Sequence, residues 1–285
     1  MAKDWSREEV ELAVHDYLGM LLLELEGKSY NKTTTRRALM KKLNNRSDGS
    51  VEAKRMNISA ALFDLGFPAI DGYKPYFNYQ SVIADVLKQA LIGSNALELT
   101  MQRDMRRTVV LPTVDDILTS LEAAPAPNTE AEAPKGCKDR QAKFSIAEPE
   151  VNYLQQEAAN TQLGEAGEEF CIRYEKARLI HQGRESLADR VEQVSRTIGP
   201  SAGYDIRSFE VDGNDRFIEA KTTRYGKLTP FYISPNELRF SDNNAKNYQL
   251  YRVFRFERSP GLFAVPGSVR KHFSLKATEF SASVR

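Results

Sequence analysis

The sequence predicts two unlike parts: a mostly α-helical N-terminal domain and an α/β C-terminal domain. Three observations carry this. Apolar residues recur at helical spacing through the first 110 or so positions. An Ala/Pro/Glu-rich stretch, LEAAPAPNTEAEAPKG (121–136), then breaks the periodicity. Beyond residue 203 the texture changes to short aromatic and β-branched runs separated by Asp-Gly.

In the N-terminal part, Ser6-Arg7-Glu8-Glu9 reads as a capping box, with Ser6 as N-cap and Glu9 at N3. Val10, Val14, Tyr17, Leu18, Leu21, Leu22 and Leu25 follow on one face, and Gly27 stops the helix. Residues 33–43 predict a second, short helix. Residues 50–65 predict a third, with Gly66 as its C-terminal cap. Pro68, Gly72 and Pro75 mark a loop, and residues 78–91 predict a fourth helix. This helical domain spans 1–110. A linker, extended and mobile, spans 111–147, and the second domain spans 148–285.

In the second domain, residues 151–181 predict a helix broken near Gly164 or Gly167, and 187–194 a short helical stretch. Strands are expected over 204–209 and 216–222, joined by EVDGND, where Asp212-Gly213 is a hairpin signal. A further strand is expected at 231–233. Ser234-Pro235-Asn236-Glu237 supplies an N-cap, a Pro at N1 and a Glu at N3 for a helix. YQLYRVFRF (248–256) and 262–265 read as the last strands. The order helix, three strands, helix, strand, strand is that of an α/β sandwich.

Composition bounds the function. The 285 residues are 41% hydrophobic and 28% charged, with a net charge of +1, so no overall field advertises a polyanionic partner. Cys137 and Cys171 form no CxxC, and His15, His181 and His272 lie far apart, which argues against a Cys/His zinc site and a disulfide framework. The polar start MAKDWSREEV lacks the layout of a signal peptide, and the apolar run at 20–23 is too short for a bilayer. A cytoplasmic protein without a membrane partner is expected.

Chemistry concentrates in GYDIRSFEVDGNDRFIEAKTT (203–223). Glu219 and Lys221 share a strand face, and folding about Asp212-Gly213 pairs positions whose numbers sum to about 425. Asp205 then lies opposite 219–221, so Asp205, Glu219 and Lys221 converge at one end of the sheet. Taken alone, that spacing also describes an exposed cross-strand salt bridge, worth little. Two carboxylates brought together repel unless a cation intervenes, and a hard divalent ion with oxygen ligands is the usual answer.

GYDIRSFE, DRFIEAKTT, TPFYISPNEL and YQLYRVFRF together resemble, in order, the C-terminal domain of Protein NO VEIN, over about 155–275. That family is similar to the PD-(D/E)xK nuclease superfamily. The resemblance implies a restriction-endonuclease-like mixed sheet flanked by helices. Asp205 takes the place of the Asp before the hairpin, and Glu219-Ala220-Lys221 that of (D/E)xK. The proline of the signature is absent; Tyr204 precedes the Asp. A Glu from the first helix often completes such sites, and GEAGEEF offers Glu165, Glu168 and Glu169. Glu168 is preferred because it follows Gly167 and lies one turn from Cys171 and Ile172, while Glu165, one turn earlier, remains open.

The resemblance implies Mg²⁺-dependent hydrolysis of a phosphodiester, with Mn²⁺ able to substitute. Asp205, Glu219 and the Ala220 carbonyl are the expected metal ligands. Lys221 is expected to position the attacking water, with Glu168 supporting it. In the N-terminal part, nine basic residues against two acidic ones between Lys28 and Arg55 give a local +7. Lys32, Arg36, Arg37, Lys41, Lys42, Arg46, Lys54 and Arg55 are the expected nucleic-acid contacts there, with Arg224 and Lys227 after the hairpin. This segment also resembles a domain found ahead of bacterial nuclease modules. The expected function is a DNA endonuclease of restriction or phage-defence type, acting on double-stranded DNA as a homodimer. The alternatives are a DNA-binding or interaction protein with an inactive nuclease-like fold, or a repair nuclease acting on branched DNA or RNA.

Overall fold

A computed structural model describes residues 4–92, 94–126 and 151–278. The described chain divides into two compact units, one drawn from Met1–Val110, Thr129–Leu163 and Thr223–Tyr232, the other from Leu111–Asn128, Gly164–Thr222 and Ile233–Arg285.

The first unit is helical. It holds α1 (Arg7–Leu25), α2 (Lys32–Met40), α3 (Asp48–Asp64), α4 (Ser81–Ile92), α5 (Asn95–Arg106) and α6 (Tyr153–Ala158). Ser6 and Glu9 form the expected capping box. Val10, Val14, Tyr17 and Leu21 of α1 pack with Ile58 and Leu62 of α3 and Ile83 and Leu87 of α4 into one core. Gly66 ends α3 with φ of 76°, and its N–H bonds back to Phe63 O. The expected helix at 78–91 starts later, because Asn57 Nδ2 donates to Tyr76 O and Asn78 O and holds those residues as loop. Helix α5 was not anticipated; Leu97 and Met101, four apart, are its buried stripe.

The second unit is α/β. After α7 (Thr161–His181) come α8 (Glu185–Ala188), β1 (Glu192–Gln193), α9 (Val194–Thr197), β2 (Ile206–Phe209), β3 (Asp215–Thr222), α10 (Pro235–Asn243), β4 (Tyr248–Phe254), β5 (Gly261–Pro266) and α11 (Val269–His272). The strands form a mixed sheet in the order β1-β2-β3-β4-β5, antiparallel except for the parallel β3–β4 pair. A parallel pair needs a crossover, and α10 lies in it. Ser234 and Glu237 close a second capping box at its start, with Pro235 at N1.

Four expectations are corrected. The break in the long helix falls at Ala159-Asn160 rather than at a glycine, since Asn160 Oδ1 accepts from Leu163 N at 3.1 Å and caps α7. Residues 231–233 form no strand; the third strand of the hairpin side is the two-residue β1, paired with Arg207 and Ile206. Residues 223–232 leave the sheet and belong to the helical unit, anchored by Glu157. Its carboxylate accepts from Thr223 Oγ1 at 2.6 Å and Arg224 N at 2.9 Å. The expected linker is ordered in its first part: Ile117–Ser120 is a 3-10 turn, Leu121 bridges Leu262, and Glu122 N donates to Leu262 O at 2.7 Å. Its remainder, 127–147, with Cys137, lies outside the described residues.

Candidate functional site

The hairpin register sets the site. Ile206 pairs with Ile218 and Phe209 with Asp215, so Asp205, one residue before β2, faces Glu219. Asp205 N donates to Ile218 O at 3.0 Å, and Ala220 N donates to Asp205 Oδ2 at 2.9 Å. The Asp205 carbonyl accepts from Val194 N and Ser195 N, fixing this residue from the other side as well. Lys221 Nζ reaches Glu219 Oε1 at 2.6 Å and Glu237 Oε2 at 2.8 Å. Asp205, Glu219 and Lys221 therefore meet at one end of the sheet.

Glu168 joins from α7. Gly167 makes this possible: a Cβ there would stand 1.7 Å from Thr222 Oγ1, so only glycine lets α7 come this close to the end of β3. Glu168 Oε2 accepts from Gln193 Nε2 at 2.8 Å and from Ser195 Oγ. Its charge raises Asp205. Glu165 is half exposed and faces Arg196 at 3.5 Å, and Glu169 pairs with Arg173 at 2.8 Å. Of Glu165, Glu168 and Glu169, Glu168 is the one at the cluster.

Burial strains this group electrostatically. Asp205 is pushed up to about 6, first by desolvation and then by Glu168, against the pull of Lys221. Desolvation also lifts the Glu219 carboxyl well above the usual range, with Asp205 and Glu237 adding to it against Lys221. Burial would lower Lys221, but Glu219, Glu237 and Asp205 outweigh it and hold the ammonium charged. Glu219 is 1% exposed, and its Oε2 is buried without a hydrogen-bond partner.

The donor set is all oxygen apart from the lysine, and it carries excess negative charge and an orphaned carboxylate atom. Those features fit a hard divalent cation at Asp205 and Glu219. No group of three or more His, Cys, Asp or Glu is arranged as a ligand set among the described residues. Any cation here would complete its shell with backbone oxygen and water.

Glu237 is the participant that sequence reasoning missed. Its N3 position in the capping box was legible, and it does cap, accepting from Ser234 N at 3.1 Å. The same oxygen also accepts from Lys221, 16 residues away, which no local pattern reveals. Gln193 and Ser195, the partners of Glu168, were equally silent.

The expected nucleic-acid contacts divide sharply. Arg55 is 0% exposed and bonds Asp16, Tyr73, Thr35 and the Lys32 carbonyl. Arg46 makes paired bonds to Glu9, Lys54 donates to Gln80 at 2.7 Å, and Lys32 donates to Asp71 O. Arg36 is paired with Asp48 and Glu52. Arg224 is buried and donates to Arg107 O at 3.2 Å. For Lys54, Arg55 and Arg224, which are buried, the surface expectation is corrected; Lys32, Arg36 and Arg46 are half-buried and already engaged by partners in the helical unit. Lys227 is half-buried, whereas Arg37, Lys41 and Lys42 are exposed.

No helix among the described residues is long and apolar enough to cross a membrane. Neither a curated protein nor a solved structure matches the chain. Residues 167–265, the span that carries Glu168, Asp205, Glu219, Lys221 and Glu237, match the family model described as Protein NO VEIN, C-terminal.

Proposed function

We propose that the protein is a metal-dependent DNA endonuclease of restriction or phage-defence type, with its reaction centre at Asp205, Glu219 and Lys221. The observation that supports this most is the buried, unpartnered Oε2 of Glu219 beside a second carboxylate of raised pKa. Asp205 and Glu219, with the Ala220 carbonyl, would hold Mg²⁺, or Mn²⁺ in its place. The bound ion would polarise the scissile phosphate and acidify a water.

The chain's own residues supply the rest. Lys221 is charged and can hold a phosphate oxygen or orient the attacking water once an added cation competes for Glu219. Glu237 keeps the ammonium at the end of β3. Glu168, anchored by Gln193 and Ser195, fixes the negative side of the site. Ala220 N–H holds the Asp205 carboxylate in place. Cutting both strands with one centre per chain favours a homodimer. Arg37, Lys41 and Lys42 are the exposed charges left to meet the duplex.

Plasmid and phage DNA incubated with Mg²⁺, comparing wild type with Asp205→Ala and Lys221→Ala, tests this. Loss of about 100-fold or more in both variants, with unfolding curves unchanged in cooperativity, is expected. If wild type binds DNA but cuts neither unmodified nor modified substrates, the enzymatic reading fails. The runner-up, a DNA-binding or interaction protein with a nuclease-like fold, would then stand, and the self-pairing of Lys221 with two glutamates supports it.

A further inference from the structure

A buried hydroxyl without a partner has given up its water for nothing, so it asks for a reason. Tyr248 supplies one. It is 0% exposed, and its Oη meets no hydrogen-bond partner. Tyr248 opens β4 and pairs across the parallel ladder with Phe217, two residues before Glu219. Side-chain alternation therefore puts Tyr248, Glu219 and Lys221 on one face of the sheet. The tyrosine ring lies against Phe240, with centroids 6.3 Å apart, and Phe240 is one turn along α10 from Glu237. After burial itself, the charges of Glu219, Glu237 and Asp205 raise the phenol further.

The same face holds a second orphan, Glu219 Oε2. A free acceptor and a free hydroxyl would satisfy each other if they touched, and they do not. One polar occupant answers both: the carboxylate oxygen takes a cation and the hydroxyl takes an oxygen of its water shell. We infer that Tyr248 is a positioning residue of the carboxylate site, its hydroxyl donating to the water shell of a divalent cation held by Asp205 and Glu219. This rests on the functional reading above and deepens it. No proton is transferred; Tyr248 orients and the carboxylates bind.

Tyr248→Phe removes one oxygen and keeps the ring. In the full chain, three quantities are compared with wild type: unfolding in denaturant without metal, Mg²⁺ and Mn²⁺ affinity by calorimetry, and kcat and KM for DNA cleavage. The variant is expected to be as stable as wild type or more so. Its metal affinity should fall about 10-fold or more, as for the loss of a residue that orients bound ligands. Its kcat should fall with KM unchanged. Lower stability would show that the hydroxyl has a structural partner and would overturn the inference. Unchanged affinity and kcat would overturn it too, while leaving the functional reading intact. A wild type that binds neither metal sinks the functional reading, and this inference with it; that outcome is read from the wild-type arm alone.

Discussion

Two buried glutamates on opposite faces of one sheet have opposite fates. Glu175 on α7 is 0% exposed, as Glu219 is nearly so. Glu175 bonds Arg178 twice, at 2.9 and 2.7 Å, and accepts from Ser208 and Tyr251, both at 2.6 Å. Arg216 stands at 3.7 Å. Burial pushes its carboxyl up, but Arg178 and Arg216 outweigh that and leave it lowered. Glu219 meets Lys221, which it shares with Glu237, and the Glu237 carboxyl itself, with no guanidinium against it, and stays raised. Both residues are buried to the same degree, so burial does not set them apart; the partners around each carboxylate do.

The largest expected effect comes from breaking the satisfied side. Glu175→Gln would leave two guanidinium groups buried and half-met, costing about 3–5 kcal/mol of stability. Glu219→Gln removes a charge that the fold already disfavours, and should change metal-free stability by about 1 kcal/mol or less, in either direction. Urea titrations of both variants check this. Equal losses would mean that the Glu219 cluster is an ordinary structural ion pair.

The two glutamates also show how much a sequence reveals. Asp205, Glu219 and Lys221 were legible because strand alternation and a two-residue Asp-Gly signal fix a local register, and the observed pairs sum to 424. Both capping boxes were legible for the same reason: three-residue spacing is local. Glu175 was not singled out, because only Arg178 is a local partner, while Ser208 and Tyr251 lie 33 and 76 residues away in sequence. The same distance hid the tie from Glu237 to Lys221. It also hid the capture of 223–232 by Glu157, 66 residues before Thr223. Composition misled at Lys28 to Arg55, where counting charges cannot say which ones meet a carboxylate. Arg55 and Arg46 found Asp16 and Glu9, and burial turned an apparent binding face into packing.

A second way to sharpen the comparison uses pH. Asp205 is raised to about 6, so the folded protein binds its proton more tightly than the unfolded chain does. Its contribution is complete below the ordinary aspartate value of 3.8 and is lost as pH rises through about 6. Metal-free wild type should therefore lose about 2 kcal/mol relative to Asp205→Asn between pH 4 and pH 7. Added Mg²⁺ should restore it only above about pH 6, where the carboxylate is free to bind. In the helical unit the sign reverses. Arg46 holds Glu9 down to about 2, so its contribution is present above the ordinary carboxylate range and fades as pH falls toward 2. A flat difference between wild type and Asp205→Asn would remove the electrostatic case for a poised site.

The smallest effect on stability should come from the basic residues that remain outside. Arg37, Lys41 and Lys42 are exposed, and each change to Ala should move stability by about 0.5 kcal/mol or less. Arg55→Ala, by contrast, would strand Asp16 and leave a hole behind Tyr73, at about 3–5 kcal/mol. What the three surface charges should change is the salt dependence of DNA binding. Each phosphate contact contributes about 0.9 to the slope of log affinity against log salt, so the triple variant should flatten that slope by up to about 2.7. Fluorescence anisotropy over a salt series reads it directly. An unchanged slope with intact folding would take DNA contact away from this helical face. The exposed residues at the mouth of the carboxylate cluster would then be the place to look for it, because a polyanion must reach Lys221 for the proposed chemistry to occur at all.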